Sequence, residues 1–258
     1  RLVDGRVLAH AGEFFEPGEM ILSPGESYES PVAYFARAES RDALSALFHA
    51  TLLRDVIAFP GIRPRPVTLN TWEGNYFDHR LDSLKAQATA AAALGIERFV
   101  LDDGWFGKRD DDTTSLGDWA IDARKYPHGL KPLVDHVTGL GMEFGIWFEP
   151  EMVNPESELY RKHPDWVLKV DGRPLLFSRN QFVLDLTRSE VSDHLFSCLD
   201  AVLRDHAVSY VKWDMNRDLT HAGDALGRAA TARQTRAVYA LMDRVRAAHP
   251  NVEIESCA

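Results

Sequence analysis

SYVKWDMN, residues 209–216, runs from the apolar pair Tyr210 and Val211 into Lys212, Trp213, Asp214 and Asn216. Side chains on a strand alternate faces, so Lys212 and Asp214 point the same way, and Asn216 follows if the strand persists. A cation two residues from a carboxylate on one face favours the ionised carboxylate, which suits a nucleophile. By itself the stretch reads as a strand ending in a solvated turn. Its grammar recurs, however. RFVLDDGWF (98–106) ends in Asp102, Asp103 and Trp105, and FGIWFEPE (144–151) in Trp147, Glu149 and Glu151. VTLNTWEGN (67–75) ends in Asn70, Trp72, Glu73 and Asn75, and VEIESC (252–257) carries Glu253, Glu255 and Cys257. Carboxylates and tryptophans gathered at the C-terminal ends of successive strands are the pattern of a (β/α) barrel, whose chemistry sits on that rim.

Between these strands the chain alternates with helical patterns. Strand 67–72 precedes an Ala-rich helix, 81–94, stopped by Gly95, and strand 96–102 leads through a long loop to helix 132–140, stopped by Gly141. Strand 142–148, a short helix at 155–162 and an excursion of short extended pieces at 166–186 follow. Thr187 and Glu190 are spaced as a capping box for a helix to His206. Strand 209–213, helix 231–249 and strand 252–255 complete the series. That is about five strand–helix units where a closed barrel has eight, so the expected fold is an α/β TIM barrel, C-terminally incomplete. No GxGxxG or phosphate-cradling loop appears, which disfavours an open nucleotide-binding sheet. The expected organisation is the end of a β-sandwich domain at 1–36, rich in Gly and Pro, a connecting helix and Pro-rich linker at 37–65, and the barrel from 66 to 258.

With 258 residues, 45% of them hydrophobic, the chain can bury a substantial core, and no apolar run is long enough to span a membrane. The net charge of −10 argues against nucleic acid and anionic membranes as partners. Two isolated cysteines, Cys198 and Cys257, make no disulfide framework, which fits a reducing, cytoplasmic setting. Ten histidines form no HxH or HExxH pattern, and Asp110–Asp112 lacks the spacing of a calcium loop, so neither a metal nor another cofactor is expected. The chain starts at Arg1 without a signal-peptide pattern and is expected to be a fragment of a longer protein.

A rim of tryptophans, carboxylates, one lysine and amides fits a sugar pocket: aromatic faces cover the C–H face of a pyranose and polar groups bond its hydroxyls. Glycoside hydrolysis needs two carboxyl groups, at roughly 5–5.5 Å in a retaining enzyme. Asp214 is the natural nucleophile. Spacing leaves Asp102, Asp103, Glu149 and Glu151 open as proton donors.

LDDGWFG, IWFEPEMV, RNQFVLDLT and KWDMNR, in that order, resemble glycoside hydrolase family 36, and within it the bacterial α-galactosidases. The resemblance covers the chain from Trp72 to Cys257 and implies a retaining exo-α-galactosidase, acting on sugars of the melibiose and raffinose type by double displacement. It implies Asp214 as the nucleophile, with Lys212 and Asn216 binding ring hydroxyls. Asp102 and Asp103 correspond to the pair holding the galactose O4 and O6, which moves both from proton donor to specificity residue. Trp147 and Trp72 match pocket aromatics, Arg179 an orienting arginine, and Cys257 a cysteine lining the pocket. The residues before Phe59 would correspond to the end of a β-supersandwich domain and its connection to the barrel. The family's acid/base is an aspartate beyond the continuation of ESC, so the fragment alone is expected to fold poorly and to be inactive. A homo-oligomer, as large as a tetramer, is the family habit. The alternatives are a non-catalytic sugar-binding remnant and a transglycosylase of raffinose-synthase type; the bacterial-type KWDMNR and IWFEPEMV weigh against the latter. On the residues alone, Arg179 could instead pair with Glu149 or Glu151.

Overall fold

The computed structural model describes residues 9–57 and 64–257 and divides the chain into two units, Arg1–Phe59 and Pro60–Ala258. In the second, five strands lie side by side, all parallel and in chain order. They are β1 (Thr68–Asn70), β2 (Arg98–Leu101), β3 (Glu143–Phe148), β6 (Tyr210–Asp214) and β7 (Glu253–Cys257). Two further short strands, β4 (Met152–Val153) and β5 (Phe182–Val183), pair antiparallel in the segment that leaves β3. The large sheet is a curled half-barrel. β2 is buried along its whole length and β3 beyond its first residue, which accounts for their continuous apolar runs.

Helices return the chain from each strand end to the next start. α3 (Leu81–Ala93) and α4 (Lys131–Gly139) end in the same way. Gly95 and Gly141 take φ of +84° and +83°, open to glycine at little cost. Ile96 N–H then reaches back to Ala91 O, and Met142 N–H to Val137 O, closing Schellman turns that aim the chain straight into β2 and β3. α6 (Ser189–Asp205) and α7 (Thr231–Ala248) pack against each other outside β6 and β7. The expected capping box before α6 does not form. Arg188 occupies the N-cap position, so Glu190 lies one residue too early and pairs with Arg188, while Thr187 Oγ1 donates to Asp185.

Charge also gathers at the opposite end of the strands, contrary to the sequence reading. β7 runs from Glu253 to Cys257, starting one residue and ending two residues later than expected, so Glu253 lies at a strand start. There it joins Glu143 in flanking buried Arg98, at 2.7 and 2.8 Å, with the guanidinium 4.2 Å from the Tyr210 ring centre. Glu255 accepts from the Tyr210 hydroxyl. Of the VEIESC side chains, Cys257 alone stands level with Asp214. The Arg98 cluster ties four strand starts together on the face that stabilises a barrel.

In the first unit α1 (Arg41–Thr51) is capped by Ser40 Oγ, which accepts Ala43 N–H at 3.1 Å, and passes into a π-helical turn, Leu52–Val56. Residues 9–39 contain no strand, and Phe14, Ile21, Val32 and Phe35 are exposed. The β-sandwich expected at 1–36 is not seen among the described residues.

Candidate functional site

β6 delivers Asp214 at its last residue, one strand away from Trp147 on β3. Register pairs Trp147 with Lys212, so both share the Asp214 face, and the Trp147 indole N–H donates to Asp214 Oδ2 at 2.9 Å. The other oxygen, Oδ1, accepts the Met215 N–H at 2.9 Å. Each carboxylate oxygen thus receives one donor and keeps a lone pair. Trp213, on the opposite face, donates to Glu151 Oε1 at 3.1 Å, and burial pushes the Glu151 carboxyl upward in pKa.

Lys212 does not pair with Asp214, as its spacing implied. A lysine stem is long enough to cross the curled sheet, and Lys212 Nζ bonds Asp102 Oδ2 at 3.0 Å. Burial opposes its charge, yet Asp102, with smaller contributions from Cys257 and Asp214, holds the ammonium above its ordinary pKa. Asn70, at the end of β1, donates its amide to the same Asp102 oxygen. Asp102 Oδ1 in turn accepts the Asp103 N–H at 2.9 Å. Three strand ends are thereby joined through one carboxylate.

Asp103 is gripped by Arg109, a residue outside the sequence expectations. Arg109 is 1% exposed and makes a forked contact, Nε to Oδ1 at 3.0 Å and Nη2 to Oδ2 at 2.8 Å. Its Nη1 bonds Thr114 O and Asn154 Oδ1, and Asn154 Nδ2 donates to Asn180 O. Burial raises the Asp103 pKa against the pull of Arg109. Nothing in the order Lys108-Arg109-Asp110 marks this arginine out in the sequence.

Glu149, at 1% exposure, links further parts of the rim. Its Oε1 accepts the Asn216 backbone N–H at 2.6 Å and its Oε2 the Gln181 side-chain amide at 3.0 Å. Burial pushes its pKa up to about 7; the Asn216 bond opposes this, and the Asp214 and Asp103 charges add to it.

The other expected residues are placed as follows. Asn216 is half-buried just beyond β6. Cys257, half-buried, is the register partner of Asp214; burial first and the Asp214 charge second raise its thiol pKa. Trp72 is not on a strand: β1 stops at Asn70, whose side chain accepts the Trp72 N–H, and Trp72 opens the short helix α2 (Trp72–Asn75). Its ring is half-buried, edge-on to Tyr76 and Phe77. Trp147 is 2% exposed and packed among Phe106 and Trp119, so it meets Asp214 through its N–H from within the core. Arg179 is exposed with φ +54° and makes no hydrogen bond or ion pair with the described residues, so the alternative pairing with Glu149 or Glu151 is absent. Gln181, two residues on in the same motif, is the side chain that contacts Glu149.

Among the described residues no three His, Cys, Asp or Glu side chains gather in metal-binding geometry. A cavity of about 1070 Å³ lies between the segment around Trp119 and helices α5 (Glu158–Lys162) and α6, and none of the strand-end residues above lines it.

The melibiase family model matches residues 27–258. An α-galactosidase of Escherichia coli is 48% identical over 256 residues, 99% of this chain and 36% of that protein. The α-galactosidase AgaA of Geobacillus stearothermophilus is 44% identical over 92% of this chain and 34% of its own length. The crystal structure of AgaA, described as a GH36 α-galactosidase, superposes with a TM-score of 0.73 over 76% of this chain and 28% of that one, at 48% identity; an AgaA variant in complex with raffinose gives the same score. This chain therefore spans about a third of the length of its relatives. A half-barrel that matches solved members of one family, and a family model that covers all but the first 26 residues, place the chain in the melibiase family.

Proposed function

We propose that the full-length protein is a retaining exo-α-galactosidase that removes terminal α-galactosyl groups from sugars of the melibiose and raffinose type. The observation that carries this reading is the hold on Asp214: one donor on each oxygen, supplied by Trp147 and the Met215 backbone, fixes it at the end of β6 for attack. In the first displacement an Asp214 oxygen bonds the anomeric carbon while the glycosidic C–O bond breaks, giving a covalent glycosyl ester. In the second, water releases galactose with net retention. Asp102 and Asp103, with Lys212 and Asn216, bind the ring hydroxyls. Asp102, bridged to Lys212, and Asp103, clamped by Arg109, cannot swing away, so they select the sugar that fits them. Trp72, Cys257 and Arg179 belong to the pocket in this reading, and Trp147 supports Asp214 from beneath. Glu149 has both oxygens engaged, by Asn216 and Gln181, and Glu151 has one engaged, by Trp213. The proton donor is assigned, on the family resemblance, to a carboxylate outside residues 1–258. Residues 1–36 belong to the end of a β-supersandwich domain in the same assignment. A cytoplasmic homo-oligomer completes the proposal; the described residues contain no helix long and apolar enough to cross a membrane.

The test is turnover of raffinose and of an aryl α-galactoside by the full-length protein and its Asp214→Ala variant. Asp214→Ala should be inactive, and added azide should restore cleavage of the aryl substrate with β-galactosyl azide as product. Wild-type protein without α-galactosidase activity, or a fully active Asp214→Ala, would refute the assignment.

A further inference from the structure

We propose that Glu149 is a positioning residue of the reaction, holding Asn216 and the Gln181 segment around Asp214 through its two carboxylate oxygens. The inference rests on the α-galactosidase reading and adds to it a group that touches no substrate. Glu149 is the only side chain described here that joins the end of β3 to both the segment after β6 and the segment leading into β5. Its bond to the Asn216 N–H is among the shortest on the rim, at 2.6 Å, and it acts on the backbone of a residue two positions from Asp214. Asn216 cannot turn its side chain toward a sugar unless that backbone stays in place.

The charged groups facing Glu149 are carboxylates: Asp214 from the end of β6 and Asp103 from the end of β2. Asp103 is paired with Arg109, but Glu149 itself makes no ion pair with a described lysine, arginine or histidine. A buried carboxylate flanked by two others is kept ionised only by its donors, so the Asn216 and Gln181 bonds are what allow the charge. Gln181 Oε1 is itself buried without a partner. Turning that amide over would offer an acceptor in place of a donor, so the same pair of side chains can also satisfy a protonated Glu149. The ionised form holds Asn216 more firmly, because a charged acceptor roughly doubles the strength of such a bond. Activity is therefore expected to rise as pH increases through the ionisation of Glu149.

The experiment compares the full-length wild type with Glu149→Gln and Gln181→Leu. For Glu149→Gln, kcat should fall roughly a hundredfold, the loss that attends a misplacement of about 1 Å, with KM changed far less. The acidic limb of the kcat/KM profile near neutrality should vanish. Gln181→Leu keeps the carboxylate but removes a donor to it, so the same limb should move to higher pH; this variant serves if Glu149→Gln does not fold. Glu149→Asp should regain part of the kcat. An active wild type whose acidic limb is unmoved in Gln181→Leu, or whose Glu149→Gln keeps kcat and profile, overturns the proposal. A wild type inactive on α-galactosides overturns instead the reading beneath it.

Discussion

Replacing Arg109 by Met removes the one cation bonded to Asp103 while leaving the carboxylate buried. Breaking a buried ion pair from one side costs about 3–5 kcal/mol, because the surviving charge keeps its desolvation penalty. Asp103 has an escape: it can take up a proton. Protonating a carboxyl of ordinary pKa near 3.9 at pH 7 costs about 4 kcal/mol at 1.36 kcal/mol per unit, which caps the electrostatic part of the loss. The cap falls with pH, since the proton becomes easier to acquire. In the variant the folded pKa of Asp103 lies well above its unfolded value, so stability present at low pH is lost as pH rises toward that folded value. Two further acceptors, Thr114 O and Asn154 Oδ1, also lose their donor, and that part does not vary with pH. Denaturant titration of the full-length protein and of Arg109→Met should show a deficit at pH 7 whose electrostatic part is at most about 4 kcal/mol, and a smaller deficit at pH 5. Adding Asp103→Asn to Arg109→Met should recover the electrostatic part, so the two substitutions will not add. Additive losses, or a deficit equal at pH 5 and 7, would show that the fork onto Asp103 is not what Arg109 contributes.

Three other outcomes follow from contacts elsewhere in the barrel. Trp147→Phe deletes the N–H on Asp214; a hydrogen bond to a charged group is worth about 1.5–3 kcal/mol, so kcat should drop about 10- to 100-fold, and the smaller ring in a buried site should also lower the thermal midpoint. Glu149 has a folded pKa of about 7 against an ordinary 4.5, so wild type should lose up to about 3 kcal/mol relative to Glu149→Gln as pH rises from 4.5 to 7, measured by denaturant midpoints at both ends. The wild type should therefore be less stable relative to Glu149→Gln at pH 8 than at pH 4.5, while Glu149→Gln remains the poorer catalyst. Gly145→Ala would place a methyl 2.8 Å from Tyr210 and 2.9 Å from Val100, inside the sheet, and should cost about 1–3 kcal/mol in the same titration.

Much of the barrel was legible because its signals are local. Apolar runs of strand length, helices closed by Gly95 and Gly141, and acidic rim residues after the runs all depend on neighbours within a few positions. The errors arose where a local signal was outbid by a distant partner. Glu190 sits at capping-box spacing from Thr187, but Arg188 takes the cap and its guanidinium also reaches Asp165. Glu253 counted as a rim carboxylate until register put it at a strand start beside Arg98. Trp72 left β1 because Asn70 captures its N–H and turns the chain into α2.

The sequence by itself determined roughly where the five parallel strands lie, which face of β6 carries Asp214, and that carboxylates follow most of the strands at their C-terminal ends. These follow from backbone periodicity and need no knowledge of neighbours. Tertiary structure alone decided who bonds whom on that rim: Lys212 with Asp102 rather than Asp214, Arg109 on Asp103, Trp147 beneath Asp214, Glu149 under Asn216. Each such pair spans different loops or strands brought side by side by parallel register and the curl of the sheet. A charge buried there is stabilised by whichever partner lies within about 3 Å, and that distance is set by the fold, not by separation along the chain.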